Sequence, residues 1–423
     1  MNVRRRCAVA LAATAVLGAA AAPAVAADPS PSPSSPALPS GLYGTTDPTY
    51  DGVWRQSLAL LAQTTADVRP ADKAVDWLTG QQCADGAFAP YRADPAAKCD
   101  AETPVDTNST AAAVQALAAV GGQQKTVKDA VAWLKSVQNE DGGWGYTPGG
   151  ASDANSTSVV IGALTAVTTH LSKVVNGGKA PYDALLSFAL PCGDADGDGD
   201  GGGAFAFQPD DKGKLTANAD ATAAGVLGAL GKGLAPEAGK AATPTCADGS
   251  GTAGPERAAA NGAAWLADAV AKDGHLTSAL AGAEDQPDYG NTADAVVALA
   301  AQGGAERAAK PLAWLEENAG DWASRSGPAA YAQLIFAAHA TGTDPRDFGG
   351  TDLVAALNAT GPEPDATAEQ DSGSKDSDSE GTDSEGADSE DSGFGTWWYV
   401  GVCLVFGIGI GFLVSGRNRK RQP

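Results

Sequence analysis

An internal repeat constrains this chain more than any other feature. Ala74-Val75-Asp76-Trp77-Leu78 returns as Ala130-Val131-Ala132-Trp133-Leu134, as Gly262-Ala263-Ala264-Trp265-Leu266 and as Pro311-Leu312-Ala313-Trp314-Leu315. A further copy, Ala184-Leu185-Leu186-Ser187-Phe188, carries Phe in place of Trp. The residues downstream of the aromatic position repeat too. Gln82 and Gln138 stand five residues after Trp77 and Trp133, and Asp85, Asp141 and Asp273, each with Gly next to it, stand eight residues after Trp77, Trp133 and Trp265. The loop then closes on Phe88, Trp144 or Leu276. After Trp314 the register is looser, with Asp321-Trp322 one residue early. A unit of this size cannot bury an apolar face alone, so neighbouring copies must stack.

A second unit alternates with the first. Asp106-Thr107-Asn108-Ser109-Thr110 and Asp153-Ala154-Asn155-Ser156-Thr157 each precede an apolar run, and looser copies start at Asn218 (with Asp220) and at Asp288 (with Asn291). Asp, Asn or Thr just before such a run marks a helix N-cap. These runs are apolar nearly all round, as expected of helices packed on both sides. Inner helices are therefore expected near 53–63, 110–120, 157–168, 222–231, 292–302 and 330–340. Amphipathic outer helices are expected near 71–82, 127–138, 181–190, 257–270, 307–317 and 350–358. Twelve alternating helices predict an all-α fold, a closed (α/α)6 toroid.

The loops Gln82–Phe88 and Gln138–Trp144 resemble the QW repeats of the prenyltransferase/squalene-oxidase family, which includes terpenoid cyclases, protein prenyltransferase β-subunits and the cobalamin carriers related to intrinsic factor. The resemblance covers roughly Asp47–Asn358. It implies the toroid, and it implies that Trp77, Gln82, Asp85, Phe88, Trp133, Gln138, Asp141 and Trp144 are structural, tying one hairpin to the next. A shared fold does not carry an activity with it.

The chain ends carry different signals. Arg4–Arg6, the apolar run 8–22 and Ala24-Val25-Ala26 read as a secretory signal over 1–27. A Pro/Ser-rich linker over 28–46 leads to the toroid at 47–358. Residues 359–394 are dominated by Asp, Ser, Glu and Gly, with almost nothing apolar, and predict a self-repelling disordered stalk. Residues 395–416 include an uncharged stretch long enough to cross a bilayer, opened by Trp397, Trp398 and Tyr399. The basic residues of 417–423 then place the tail in the cytoplasm. The expected localisation is a single-pass cell-membrane protein with its N-terminal domain outside.

Four cysteines would face an oxidising compartment: Cys83, Cys99, Cys192 and Cys246. They allow three pairings. Nearest-neighbour pairing gives Cys83–Cys99 and Cys192–Cys246; a four-thiolate zinc site is the alternative, without C-x-x-C spacing to support it. Asp194, Asp196, Asp198 and Asp200 begin like a calcium loop, but Phe205 stands where the bidentate Glu belongs. No other cofactor is expected.

Chemistry is harder to find. The net charge of −23 excludes a nucleic-acid binder, which needs a basic footprint. No D-x-D-D acid of the cyclase kind occurs, and His170, His275 and His339 lack a Cys in the pattern of a prenyltransferase zinc site. No catalytic set emerges. The caps Asp106, Asn108, Asp153, Asn155, Asn218, Asp220, Asp288 and Asn291 are instead expected to gather at one mouth of the toroid. A mouth with carboxylates at its helix N-termini suits a neutral or cationic ligand offering donors. The leading expectation is a membrane-anchored, non-catalytic protein that captures a small molecule, corrinoid-like or isoprenoid, for a membrane transporter or with a separate β-domain protein. The alternatives are an extracytoplasmic terpenoid- or glycan-active enzyme and a protein-docking platform.

Overall fold

The computed structural model describes residues 38–192, 201–243, 245–247, 254–280 and 282–365. The signal, the first ten residues of the linker, Asp194, Asp196, Asp198 and Asp200, nearly all of the stalk, the span and the tail lie outside these residues. Among the described residues, no helix is long and apolar enough to cross a membrane.

In chain order the helices are α1 (Gly52–Thr65), α2 (Asp72–Gly80), α3 (Thr107–Val120), α4 (Gln124–Ser136), α5 (Ala154–Ala166), α6 (Pro181–Ser187), α7 (Ala219–Ala229), α8 (Pro255–Ala269), α9 (Tyr289–Gly303), α10 (Ala305–Asn318), α11 (Gly320–Ser326), α12 (Pro328–Thr341) and α13 (Leu353–Asn358). A two-residue hairpin, β1 (Leu276–Thr277) with β2 (Pro287–Asp288), precedes α9. Six helices form the inner ring. α1 packs on α3, α3 on α5, α5 on α7, α7 on α9, α9 on α12, and α12 returns to α1, so the ring closes. Each expected inner and outer helix is present. The addition is α11, which converts the expected Asp321-Trp322 loop into a short helix.

The two classes differ because their sequences do. α3 and α9 are Ala- and Val-rich and buried along most of their length, which lets inner helices approach on both sides. α10 buries only Ala308, Pro311 and Leu315 and turns its charged residues outward. That single stripe is what an outer helix needs.

The Gln-Asp-Gly loops lock each hairpin to the next. Gln82 Nε2 donates to Thr126 O (2.8 Å) and Gly86 O (3.1 Å), and Gln138 Nε2 donates to Gly142 O (2.8 Å) and Val174 O (3.3 Å). Asp85 and Asp141 close the turn by accepting from Ala87 N and Gly143 N. Gly86 and Gly142 have φ of 102° and 90° and pass against Asp129 O and Ala180 O, where a Cβ would lie within 2.4 Å of backbone. Only glycine satisfies both the dihedral and the space.

Two corrections concern the ends of the domain. Residues 38–46, read as linker, fold onto the toroid: Tyr43 is fully buried and Gln56 Oε1 accepts from its N–H at 2.8 Å. Residues 359–365, read as stalk, also dock. Gly44 N donates to Thr360 O, and Tyr43 Oη donates to Pro362 O, each at 2.8 Å. Residues 38–46 and 359–365 therefore clasp one another beside α1.

Both nearest-neighbour disulfides form, Cys83–Cys99 and Cys192–Cys246. The first closes a loop of sequence separation 16 that begins inside the Gln82–Gly86 turn. Replacing Cys83 and Cys99 with Ser is expected to lower unfolding free energy by about 3 kcal/mol in the chain-entropy model. Urea denaturation of the full chain measures it, and an unchanged midpoint would show that the loop is held by packing alone.

Candidate functional site

Inner and outer helices alternate, so all six inner helices run the same way and their N-termini meet at one end of the ring. Four of them open with the same five-residue pattern, and its side chains divide the labour. Position one is the cap: Asp106 accepts from Ser109 N (2.5 Å), Asp153 from Ser156 N (2.7 Å), Asn218 from Ala221 N (2.8 Å) and Asp288 from Asn291 N (3.0 Å). Position five is Thr, whose hydroxyl accepts the backbone N–H that ends the preceding loop. Phe88 N reaches Thr110 (2.9 Å), Trp144 N Thr157 (3.1 Å), Phe205 N Thr222 (3.0 Å) and Leu276 N Thr292 (3.0 Å). Phe205 is thus the closing aromatic of the third loop.

Position three points elsewhere. It lies about 200° around the helix from the cap, since each residue advances about 100°. Asn108, Asn155 and Asp220 occupy it, with Gly290 and the adjacent Asn291 in α9, and all five line a cavity along the toroid axis. Every inner helix contributes to that cavity, whose volume is about 1070 Å3 including the part open to solvent. Its walls are largely apolar, formed by Trp54, Leu58, Val159, Leu227, Val297 and Phe336. Residues 232–234 plug the far end: Leu234 N donates to Gln115 Oε1 (2.8 Å), and Gly162 gives the segment room.

The eight expected mouth residues therefore separate. Asn108, Asn155, Asp220 and Asn291 face the cavity, whereas Asp106, Asp153, Asn218 and Asp288 turn back over their own helices and do not line it. The structural loop residues, from Trp77 to Trp144, lie away from the cavity, as do the three histidines. Among the described residues, no group of three or more His, Cys, Asp or Glu could hold a metal.

Five polar contributors were missed in the sequence: Asp294, Gln333, Ser158, Gln115 and Lys232. Asp294 lies one turn after Asn291 on the same face of α9, and Gln333 lies within the apolar α12. An ionisable or amide side chain inside an otherwise apolar inner helix was the available signal.

These groups form a hydrogen-bonded cluster. Asn155 Nδ2 donates to Asp220 Oδ2 at 2.5 Å, and Gln333 Nε2 donates to both oxygens of Asp294 at 3.2 Å. Burial pushes the Asp294 carboxyl up to about 7, and the Asp220 charge adds to this against the Gln333 bond. Burial likewise raises Asp220 to about 6, opposed by the Asn155 bond and aided by Asp288. Asn108 is only 2 % exposed, yet neither Oδ1 nor Nδ2 has a hydrogen-bond partner. Asn155 Oδ1 and Ser158 Oγ are also buried and unpartnered.

In accord with the repeat, residues 53–202 match the family model of the prenyltransferase alpha-alpha toroid domain. Among solved structures, a protein from Actinoplanes is 17% identical with a TM-score of 0.41, over 65% of this chain and 74% of that one. Two structures of variants of the type II terpene cyclase MstE from Scytonema, in complex with geranylgeranyl dihydroxybenzoate, are 12% and 13% identical. Their TM-scores are 0.39 and 0.41, over 63% and 65% of this chain and 68% and 72% of theirs. No curated protein matches the chain. The part of the chain that is similar to this family thus holds both Gln-Asp-Gly loops and the helices paired around them.

Proposed function

We propose that the protein captures a small organic molecule in the axial cavity and holds it at the cell surface, tethered by the stalk and span that the sequence predicts. The observation that carries this reading is Asn108. A buried amide with no partner costs about 1–3 kcal/mol, and a fold retains such a group where something else supplies the bonds. Asn155 Oδ1 and Ser158 Oγ are in the same condition and line the same cavity. A mostly apolar cavity with a few convergent polar groups is the usual form of a small-molecule site.

Native mass spectrometry of the protein purified from its own host is the test. A retained small molecule is expected, and Asn108→Ala with Ser158→Ala should release it while the fold persists. Asp106→Ala is the contrasting variant. It removes a cap and should cost up to about 2 kcal/mol of stability, with the cavity lining intact. Retention of the molecule by the Asn108/Ser158 variant would defeat the reading.

One observation favours a second reading, an extracytoplasmic enzyme. Asp220 and Asp294 line one cavity, and carboxyls raised to about 6 and 7 are suited to proton transfer near neutral pH. Turnover of the retained molecule by the wild-type chain, lost in Asp294→Asn, would select the enzyme.

A further inference from the structure

The polar end of the cavity is asymmetric in its hydrogen-bonding capacity, and this bears on the chemical class of the ligand. Beside the two carboxyls the amide nitrogens are already committed: Asn155 to Asp220, Gln333 to Asp294, and Asn291 to Asp288 at 2.7 Å. The capacity left beside them is acceptor-rich, namely the two carboxyl groups and the unpartnered Asn155 Oδ1, whereas the unpartnered donors, Asn108 Nδ2 and Ser158 Oγ, belong to α3 and α5. Among the described residues, neither Asp220 nor Asp294 forms an ion pair with a Lys or Arg. The one basic residue lining the cavity, Lys232, belongs to the plug at the far end, beyond the C-terminus of α7.

From this arrangement we infer that the ligand is an organic cation, a protonated amine or guanidinium on an apolar body, with its charged head between Asp220 and Asp294. The inference rests on the capture reading above. A neutral head would leave the two carboxyls either to repel each other or to take up a proton, and an anionic head would add to that repulsion. A cation relieves it and supplies the N–H donors that the acceptors lack. The apolar body would lie along Leu58, Val297 and Phe336, with Trp54 part of the same lining. Asn108 and Ser158, buried and unpartnered on the facing helices, mark where a further polar substituent would be recognised.

Isothermal titration of the full chain with three matched probes tests this: 4-phenylbutylammonium, 4-phenylbutanol and 4-phenylbutyrate. The ammonium is expected to bind at least about tenfold more tightly than the alcohol, and the carboxylate not at all. Asp294→Asn and Asp220→Asn should each remove that preference, while Asp76→Asn, an exposed carboxylate on α2, should leave it intact. Two cavity variants are used so that misfolding of one, read from its thermal melt, does not silence the experiment. If the alcohol binds as tightly as the ammonium, or the carboxylate binds best, the cation inference falls while capture of a neutral or anionic molecule stands. If no probe binds, the cation inference also falls. If the host-purified protein then carries no small molecule either, the capture reading falls with it.

Discussion

Trp144→Ala is expected to lower the stability of the toroid by about 3–5 kcal/mol, the range for emptying a large buried aromatic site. Trp144 is 1 % exposed, and its indole Nε1 donates to Leu134 O at 2.7 Å. Its backbone joins two repeats, since Trp144 N donates to Thr157 and Asp153 N donates to Trp144 O at 3.0 Å. Truncation therefore leaves a void where one loop meets the cap of the next inner helix. It also strips the Leu134 carbonyl of its side-chain partner, a net loss of about 1 kcal/mol. Trp77→Ala provides the contrast. Trp77 occupies the first repeated motif but is half-buried, stacked near Tyr91 at 6.4 Å, and should cost roughly half as much. Urea denaturation compares the two, and equal costs would show that the loop aromatic has no special place in joining repeats.

The toroid should also be more stable at pH 5 than at pH 8. Burial raises Asp106 to about 7 and Asp153 to about 6, in each case against the hydrogen bond from the capped N–H. Each cap uses one carboxyl oxygen, and the other, Oδ2, is buried without a partner. Unfolded aspartates release their proton near pH 3.9. Between about 4 and 7 the folded chain thus binds more protons than the unfolded one, so stability falls as pH rises through that window. Asp220 and Asp294 act in the same direction. Because several of these carboxyls interact, their contributions do not add; one displaced by two units is worth on the order of 3 kcal/mol. The general acidity of the chain produces a similar trend, so Asp106→Asn is the decisive variant. It keeps a capping oxygen and removes the titration, and should flatten the decline and exceed wild type at pH 8. A wild-type midpoint that rises from pH 5 to 8, or an unaltered slope in Asp106→Asn, would mean that the buried cap is ionised throughout.

The sequence by itself determined the repeat, the twelve alternating helices and the closing loops, and it made nearest-neighbour pairing of the cysteines the expectation that the structure then bore out. Each of these depends on interactions between residues near in the chain or on a pattern that recurs along it. Gln82, Asp85 and Gly86 build one turn, Asp106 caps the helix it precedes, and Cys83 pairs across a short loop. Such features survive translation into a string because their physics is local. The division of the mouth residues was not legible in that way. Asp106 and Asn108 are two residues apart and equally polar, yet helical rotation turns one back over its own helix and the other into the cavity. Asp294 and Gln333 come from helices α9 and α12, and only the packing of these two inner helices brings them within 3.2 Å. Nor could the sequence foresee that Tyr43 and Pro362 would clasp, since a Pro/Ser-rich approach and an acidic tail both read as unable to bury themselves. Tertiary structure decided these points because the cavity is shared by six helices, and a surface common to six segments belongs to no single stretch of the chain.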